Sequence, residues 1–390
     1  MPEGYRNDTL SPPDMRICLV YDCLYPYTVG GAERWYRNLA LRLRDAGHEV
    51  TYLTLRQWDG ELDDLDGVDV RVVGPRMALY TGDRRRILPP VVFGAGVLWA
   101  LLRHGRRFDV VHTASFPYFS LLGAAVARPF GRFRIVCDWH EAWSREYWRS
   151  YLGRVGGWIG WTVQALCARV RQHAFCFSEL HAARVREAGL RGEITVLKGE
   201  YEGSLEPPEP NTADPLVVFA GRLIPEKRAP AVAPAVKLAA GQIDGLRGLV
   251  FGDGPEREAV RASLDGAPVQ APGFVDAEVV EDALRRALCM VLPSSREGYG
   301  LIVVEASSKG TPSVVARAPD NAAVELVVDG VNGVIAASAS PDDLAAAIVR
   351  VAEGGVALRA STCDWFARNA RRLSLESSLE TVLASYSARR

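Results

Sequence analysis

The chain has 390 residues, a formal net charge of −1, 48% hydrophobic residues and 24% charged residues. That length exceeds what one hydrophobic core usually serves, so two domains are expected, and the composition is that of an ordinary soluble globular protein. The near-neutral charge excludes a general attraction to nucleic acid, and seven scattered cysteines without a C-x-x-C pair exclude a disulfide framework and a zinc site, pointing to reduced thiols in a cytosol.

In chain order, residues 1–14 are polar and proline-bearing, lack the apolar centre of a signal peptide, and read as a loose tail. An apolar strand is expected over 17–21, followed by a glycine turn at Gly30-Gly31. A helix is expected over 32–46, carried by Trp35, Leu39, Leu43 and Ala46 at helical spacing. Gly47 ends that helix, and 49–55 alternates as a strand. Asp64-Leu65-Asp66 matches D-x-D but sits in an acidic run without strand context, so it reads as a solvated turn. No essential metal is expected. Residues 87–102 are apolar between Arg84, Arg85, Arg86 and Arg103, Arg106, Arg107. The run is shorter than the roughly 20 residues a spanning helix needs, and it reads as a buried helix. Further strands are expected over 69–73, 108–112, 134–138 and 175–178, and the β-α alternation implies a parallel sheet with helices on both faces. Trp139, Trp143, Tyr147, Trp148, Trp158 and Trp161 crowd a span that also carries Arg145, Arg149 and Arg154. Such a span suits core packing, stacking on sugars, or an edge in peripheral membrane contact at the inner face.

Residues 198–215 lose all apolar period to proline, glycine and acid, and the alternation restarts with strands over 216–220, 248–251, 269–271, 288–292 and 312–315. The expected organisation is a tail over 1–14, a first Rossmann-like domain over 15–200, a linker over 201–215 and a second Rossmann-like domain over 216–363. Helices over 364–390 would cross back toward the first domain. Two doubly wound α/β domains of this kind would border a cleft at the carboxyl ends of their strands.

Polar residues gather at those strand ends. Arg222 and Lys227 follow the strand over 216–220, and a guanidinium fork with an ammonium suits a diphosphate. Gly252-Asp253-Gly254-Pro255 and Gly273-Phe274-Val275 close two further strands. Between Ser294 and Pro312 stand two carboxylates, Glu297 and Glu305, eight residues apart, with Gly298-Tyr299-Gly300 after the first. A helix opens at Leu301, where free backbone amides suit a phosphate. On the amino-terminal side, Gly30 and Gly31 permit close backbone approach. His140 stands just past a strand end with Asp138 and Glu141 beside it, and His112 ends another strand.

These motifs, in this order and at this spacing, resemble the family 4 retaining glycosyltransferases of the GT-B fold, specifically over 216–335 and more weakly through Gly30-Gly31-Ala32-Glu33, Gly47-His48-Glu49-Val50, 108–112 and His140-Glu141. His140-Glu141 stands where members often carry His-Asp, and Lys309 where they usually carry a small residue. The resemblance implies transfer of a sugar from a nucleotide-diphosphate donor, UDP- or GDP-linked, to an acceptor hydroxyl. No cofactor or metal is implied, and the departing phosphate takes the acceptor proton. Nucleotide-binding positions would be Gly31, Arg222, Lys227, Gly252, Val275, Leu301, Ile302 and Glu305, with Glu305 on the ribose hydroxyls and Val275 on the base. Glu297 and the backbone of Gly298, Tyr299 and Gly300 would hold the donor sugar. Catalytic positions would be His140, Arg222, Lys227 and Glu297, and acceptor positions His112, Asp138 and Glu141.

Other readings are weaker. A sugar-nucleotide epimerase or hydrolase of the same fold would need its own acid and base. A dinucleotide oxidoreductase would need a G-x-G-x-x-G after the first strand, which is missing. A non-catalytic sugar-nucleotide binder would have no need to keep Arg222, Lys227, Glu297 and Glu305 together.

Overall fold

The structure, a computed structural model, describes residues 15–387 other than 29, 63, 64, 82, 83 and 211. The expected tail and Asp64 of the D-x-D match lie outside the described residues. Two parallel sheets, of seven and six strands, carry the chain. The chain forms two compact units: 1–78 with 87–138 and 379–390, and 79–86 with 139–378.

In the first unit the strands are β1 (Arg16–Val20), β2 (Glu49–Thr54), β3 (Asp69–Val72), β4 (Val110–Ala114) and β5 (Arg134–Trp139, whose last residue belongs to the second unit). They run in parallel in the order β3-β2-β1-β4-β5, the arrangement of a doubly wound sheet. β1 and β4 are almost continuously apolar because helices cover both faces. Helix α1 (Gly31–Asp45) buries Trp35, Tyr36, Leu39 and Leu43 and ends before Gly47, whose φ of +86° closes the turn. Helices α2 (Leu88–His104) and α3 (Phe119–Gly131) pack side by side. The helix expected over 87–102 forms, but it is buried on one face only: Phe93, Val97 and Leu101 are enclosed while Ile87, Val91 and Trp99 are exposed.

The second unit opens with α4 (Arg145–Ala168), β6 (Arg171–Cys176), α5 (Glu179–Glu187) and β7 (Arg191–Val196), with β6 and β7 paired in parallel. Its six-stranded sheet consists of β8 (Leu216–Ala220), β9 (Arg247–Phe251), β10 (Val269–Gly273), β11 (Cys289–Leu292), β12 (Ser313–Ala316) and β13 (Gly333–Ala336). The order β10-β9-β8-β11-β12-β13 repeats the doubly wound pattern, all pairs parallel. β8 and β11 are apolar runs sealed between helix layers, with Val217, Phe219 and Val291 in a core shared with Val236 of α6 (Val232–Ala239) and Ile348. Helices α7 (Arg257–Ser263), α8 (Ala277–Arg286), α9 (Leu301–Ser307) and α10 (Pro341–Leu373) complete the unit. α10 is interrupted at Gly355 and capped by Ser340, whose hydroxyl accepts the Asp343 amide. The proline- and acid-rich segment after Lys198 is pinned at Tyr201, which bridges to Ser374 and packs edge-on against Phe366.

The last helix, α11 (Leu375–Ser387), starts in the second unit, and its residues from Leu379 onward belong to the first. There the Tyr386 carbonyl accepts from Arg134, so the carboxyl-terminal helix does return to the amino-terminal fold.

Candidate active site

The polar residues of the second unit converge through loops at strand ends. The loop after β8 carries Glu226 and Lys227, and the loop after β11 carries Ser294 to Glu297. The two are stitched together: the Ser295 amide donates to the Glu226 carbonyl at 2.8 Å and the Ser295 hydroxyl at 3.1 Å. Asn321 clamps the second loop from behind by donating to the Ser294 carbonyl at 3.1 Å and the Ala316 carbonyl at 2.8 Å.

Lys227 and Glu297 meet as a bidentate ion pair, with Nζ at 2.6 and 2.8 Å from the two carboxylate oxygens. The Ser294 hydroxyl donates to Glu297 Oε1 at 2.6 Å. Glu297 is 8% exposed, so this carboxylate is held in low dielectric by a cation and a hydroxyl together. An ammonium has three N–H groups and a carboxylate about four lone-pair sites, so both partners keep capacity for a ligand while paired. Arg222 follows β8 and is exposed. Gly300, with φ +100°, turns the chain into α9, and the amides of Leu301 and Ile302 open that helix. With seven residues, α9 offers directed amides more than a macrodipole. Glu305 is partly buried on the same helix, Gly252 donates to the Gly273 carbonyl at 2.8 Å, and Val275 is partly buried beyond β10.

The loop after β5 reaches the same place. A Cβ on Gly298 would stand 2.8 Å from the His140 carbonyl, so only glycine lets the two backbones approach this closely. His140 stacks on Phe177 with ring centroids 4.4 Å apart. His181, at the start of α5, has Nε2 3.3 Å from the Glu297 carbonyl and Nδ1 3.1 Å from the Ala142 amide; burial lowers its pKa. The Tyr299 side chain is buried and donates to the Lys198 carbonyl at 2.6 Å.

Beside this group stands a second cluster that sequence reasoning missed. The Arg296 guanidinium bonds to Glu141 and, at 3.3 Å, to Glu226. It lies over the rings of Trp143, at 5.0 Å, and Tyr147, at 4.7 Å. The Tyr147 hydroxyl donates to Glu226 at 2.7 Å and the Trp143 indole to Glu141 at 2.8 Å. Burial alone would raise both carboxyls. For Glu141 the Arg296 charge, His181 and the Trp143 indole outweigh it, and for Glu226 the Tyr147 hydroxyl and Arg296 do so. Both carboxyls therefore lie below their ordinary range. The sequence signal was present in Arg296, immediately before Glu297, but its partners stand 155 and 70 residues away.

The expected acceptor positions and Gly31 are placed as follows. Glu141 is engaged by Arg296 and Trp143. In the first unit, His112 and Asp138 are fully enclosed: His112 Nε2 lies 2.8 Å from Asp138 Oδ1, the Trp35 indole donates to Asp138 Oδ2 at 2.7 Å, and His112 Nδ1 pairs with the Tyr386 hydroxyl. Sheet pairing turned these side chains inward, away from any acceptor. Gly31 opens α1 beside empty space, since a Cβ there would meet nothing within 4 Å. Of the aromatic span, Trp139 and Trp148 are core residues, Trp161 lies under Arg145, and Trp158 faces solvent. All seven cysteines are buried and none forms a disulfide. Among the described residues no group of three or more His, Cys, Asp or Glu side chains is placed to hold a metal ion.

Both sheets are doubly wound, and in the second unit a paired Lys and Glu, an exposed Arg and glycine-flanked turns stand at strand ends. Residues 29–198 match the pattern of "Glycosyltransferase Family 4" and residues 214–354 that of "Glycosyl transferases group 1". The chain belongs to the family 4 glycosyltransferases of the GT-B fold. Among curated relatives, a 2-deoxystreptamine N-acetyl-D-glucosaminyltransferase of Niallia circulans is 33% identical over 102 residues, 25% of this chain and 26% of that protein. The sulfoquinovosyl transferase SQD2 of Arabidopsis thaliana is 27% identical over 333 residues, 80% of this chain. The chain thus spans only 26% and 61% of the length of these two relatives. A sucrose-phosphate synthase from Thermosynechococcus elongatus superposes with a TM-score of 0.77 at 18% identity, covering 95% of this chain and 98% of that one. Anabaena HepE in complex with UDP and glucose gives 0.65 at 18% identity, covering 96% and 100%. These structures share the fold.

Proposed function

We propose that the protein transfers a sugar, with retention of anomeric configuration, from a UDP- or GDP-linked donor to an acceptor hydroxyl. The observation that carries this reading is the Lys227–Glu297 pair, with capacity left on both partners, which joins the loop after β8, where Arg222 also stands, to the loop after β11. Lys227 uses its third N–H, and Arg222 its open fork, to neutralise the diphosphate as it departs. Glu297 fixes the ammonium and accepts a hydrogen bond from a donor-sugar hydroxyl on its freer oxygen, Oε2. The amides of Leu301 and Ile302 receive phosphate oxygens, Glu305 the ribose hydroxyls, and the backbone at Val275 the base. His140, held flat on Phe177, lines the sugar and acceptor side.

The mechanism needs no protein nucleophile. The acceptor hydroxyl arrives on the face the phosphate leaves, its oxygen bonds to the anomeric carbon as the carbon–oxygen bond to phosphate breaks, and its proton passes to the departing phosphate oxygen. Both charges on the leaving group are met by side chains, so no metal ion is assigned a part. The HepE complex with UDP and glucose supports a ligand of this class on this fold.

A thermal-shift screen of UDP, GDP, ADP and their sugar conjugates tests the reading, because a bound ligand raises stability by mass action. One nucleotide series should stabilise the protein, also in EDTA, and product NMR should give the donor's anomeric configuration. Absence of any shift, or an inverted product, would overturn it.

A further inference from the structure

The helix pair α2–α3 of the first unit carries an exposed apolar surface. Along α2 the exposed positions Ile87, Leu88, Val91, Ala95, Trp99 and Leu102 recur every three or four residues and form one continuous stripe. Trp99 is 67% exposed and Ile87 69%. On α3, Val126 and Phe130 are 58% and 59% exposed. The helices lie in contact, with Gly94 against Phe119 and Gly123 against Gly94 and Leu98, so the two exposed rows belong to one platform. Monomeric proteins seldom leave an uncharged face of this kind to water.

The edge of this platform is cationic. Arg103, Arg106, Arg107 and Arg132 are exposed, and Arg106 reaches across to the Phe130 carbonyl at 3.3 Å, which ties the basic edge to the apolar row. From 87 to 137 the only acid is Asp109, and its carboxylate is taken up by the Arg16 amide at 2.8 Å and the Arg16 guanidinium at 3.9 Å. No helix among the described residues is long and apolar enough to cross a membrane.

We propose that the α2–α3 platform docks the enzyme on an anionic lipid surface. Ile87, Val91, Trp99 and Phe130 enter the boundary between headgroups and acyl chains, while the arginines pair with lipid phosphates. An apolar helix face with arginines at one end and no opposing acid is complementary to an anionic bilayer, whereas another protein surface would need its own acids to match that edge. Tryptophan at the rim of such a face suits the interfacial layer, where an apolar ring with a polar edge is favoured.

Co-sedimentation with vesicles tests the proposal, using phosphatidylcholine alone and phosphatidylcholine mixed with phosphatidylglycerol, at low and at high salt. The wild type should bind the mixed vesicles, bind neutral ones far more weakly, and lose binding as salt rises. Arg106→Glu with Arg107→Glu should weaken binding by at least about tenfold, and Trp99→Asp with Phe130→Asp should abolish it. Trp158→Asp, on the exposed face of α4, should leave it unchanged. All these positions are exposed, so thermal unfolding should confirm folded variants, and the arginine pair serves if the aspartates unfold the protein. Wild-type indifference to anionic vesicles, equal binding by both double variants, or transfer of the effect to Trp158→Asp would overturn the proposal. So would a wild-type dimer in light scattering that Trp99→Asp dissociates, since the face would then belong to a second copy.

Discussion

Two constellations of similar chemistry sit at strand ends in this molecule, and burial separates their roles. In the second unit, Lys227, Glu297 and Ser294 form a charge-assisted group whose members keep unused hydrogen-bonding capacity, and Arg222, on the same loop as Lys227, is exposed. In the first unit, His112, Asp138, Trp35 and Tyr386 form a group of comparable polarity in which the histidine and the carboxylate have no exposed surface. The first arrangement can receive a substrate. The second holds β4, β5, α1 and the end of α11 together, and its acid is satisfied by an indole and an imidazole. Residue type at a strand end therefore does not identify a site; residual capacity toward solvent does.

The comparison can be broken by substitution. The largest effect is expected where buried charge is left unpaired: Arg296→Met strands Glu141 and Glu226 and should cost about 3 kcal/mol of stability, seen in denaturant unfolding. An unchanged midpoint would show that this cluster is merely superficial. Next, Asp138→Asn should cost about 2 kcal/mol, because a buried carboxylate accepts from two donors, while nucleotide affinity stays as in the wild type. A lost affinity with intact stability would make the enclosed group part of the site after all. Lys227→Ala should lower turnover at least about tenfold, the loss of one charge-assisted contact, and should also cost stability, because it leaves the buried Glu297 carboxylate with the Ser294 hydroxyl alone.

The smallest effect is that of pH. Glu141 and Glu226 titrate below their ordinary value of 4.5 in the fold, and His181 below 6.5. In each case the unfolded chain binds more protons between the folded and unfolded pKa values, so the stabilisation is present above the unfolded pKa and fades as pH falls. Melting temperature should begin to decline below about pH 6.5 through His181 and fall more steeply below about pH 4.5 through the two acids. In Arg296→Met the steep part should be blunted, because the cation that favours both carboxylates is gone.

Much of this architecture was legible in the sequence because it rests on local pattern. The apolar run of β8 reads as a fully buried strand, and the Gly30-Gly31 turn, the α1 stripe and the turn into α9 at Gly300 all obey short-range rules. Two strands escaped. β7 is an edge strand whose polar residues blur its alternation, and β13 is a four-residue strand after a turn. The Arg296 cluster escaped because its members come from three distant loops, and no local pattern announces that Tyr147 will meet Glu226. For His112 and Asp138 the position at a strand end was visible, whereas their enclosure by Trp35 of α1 and Tyr386 of α11 was not. The α2 face shows the same limit, since its short apolar run reads as a buried helix and only the structure reveals which side stays uncovered.

The central claim is that Lys227 and Arg222 meet the diphosphate of a sugar nucleotide. Calorimetric titration of UDP and GDP into the wild type and Arg222→Ala tests it most directly. The account predicts saturable binding of one nucleotide and at least about tenfold weaker binding by the variant, the share of one charge-assisted fork. Equal affinities for the two proteins, or no binding of either nucleotide to the wild type, would contradict it.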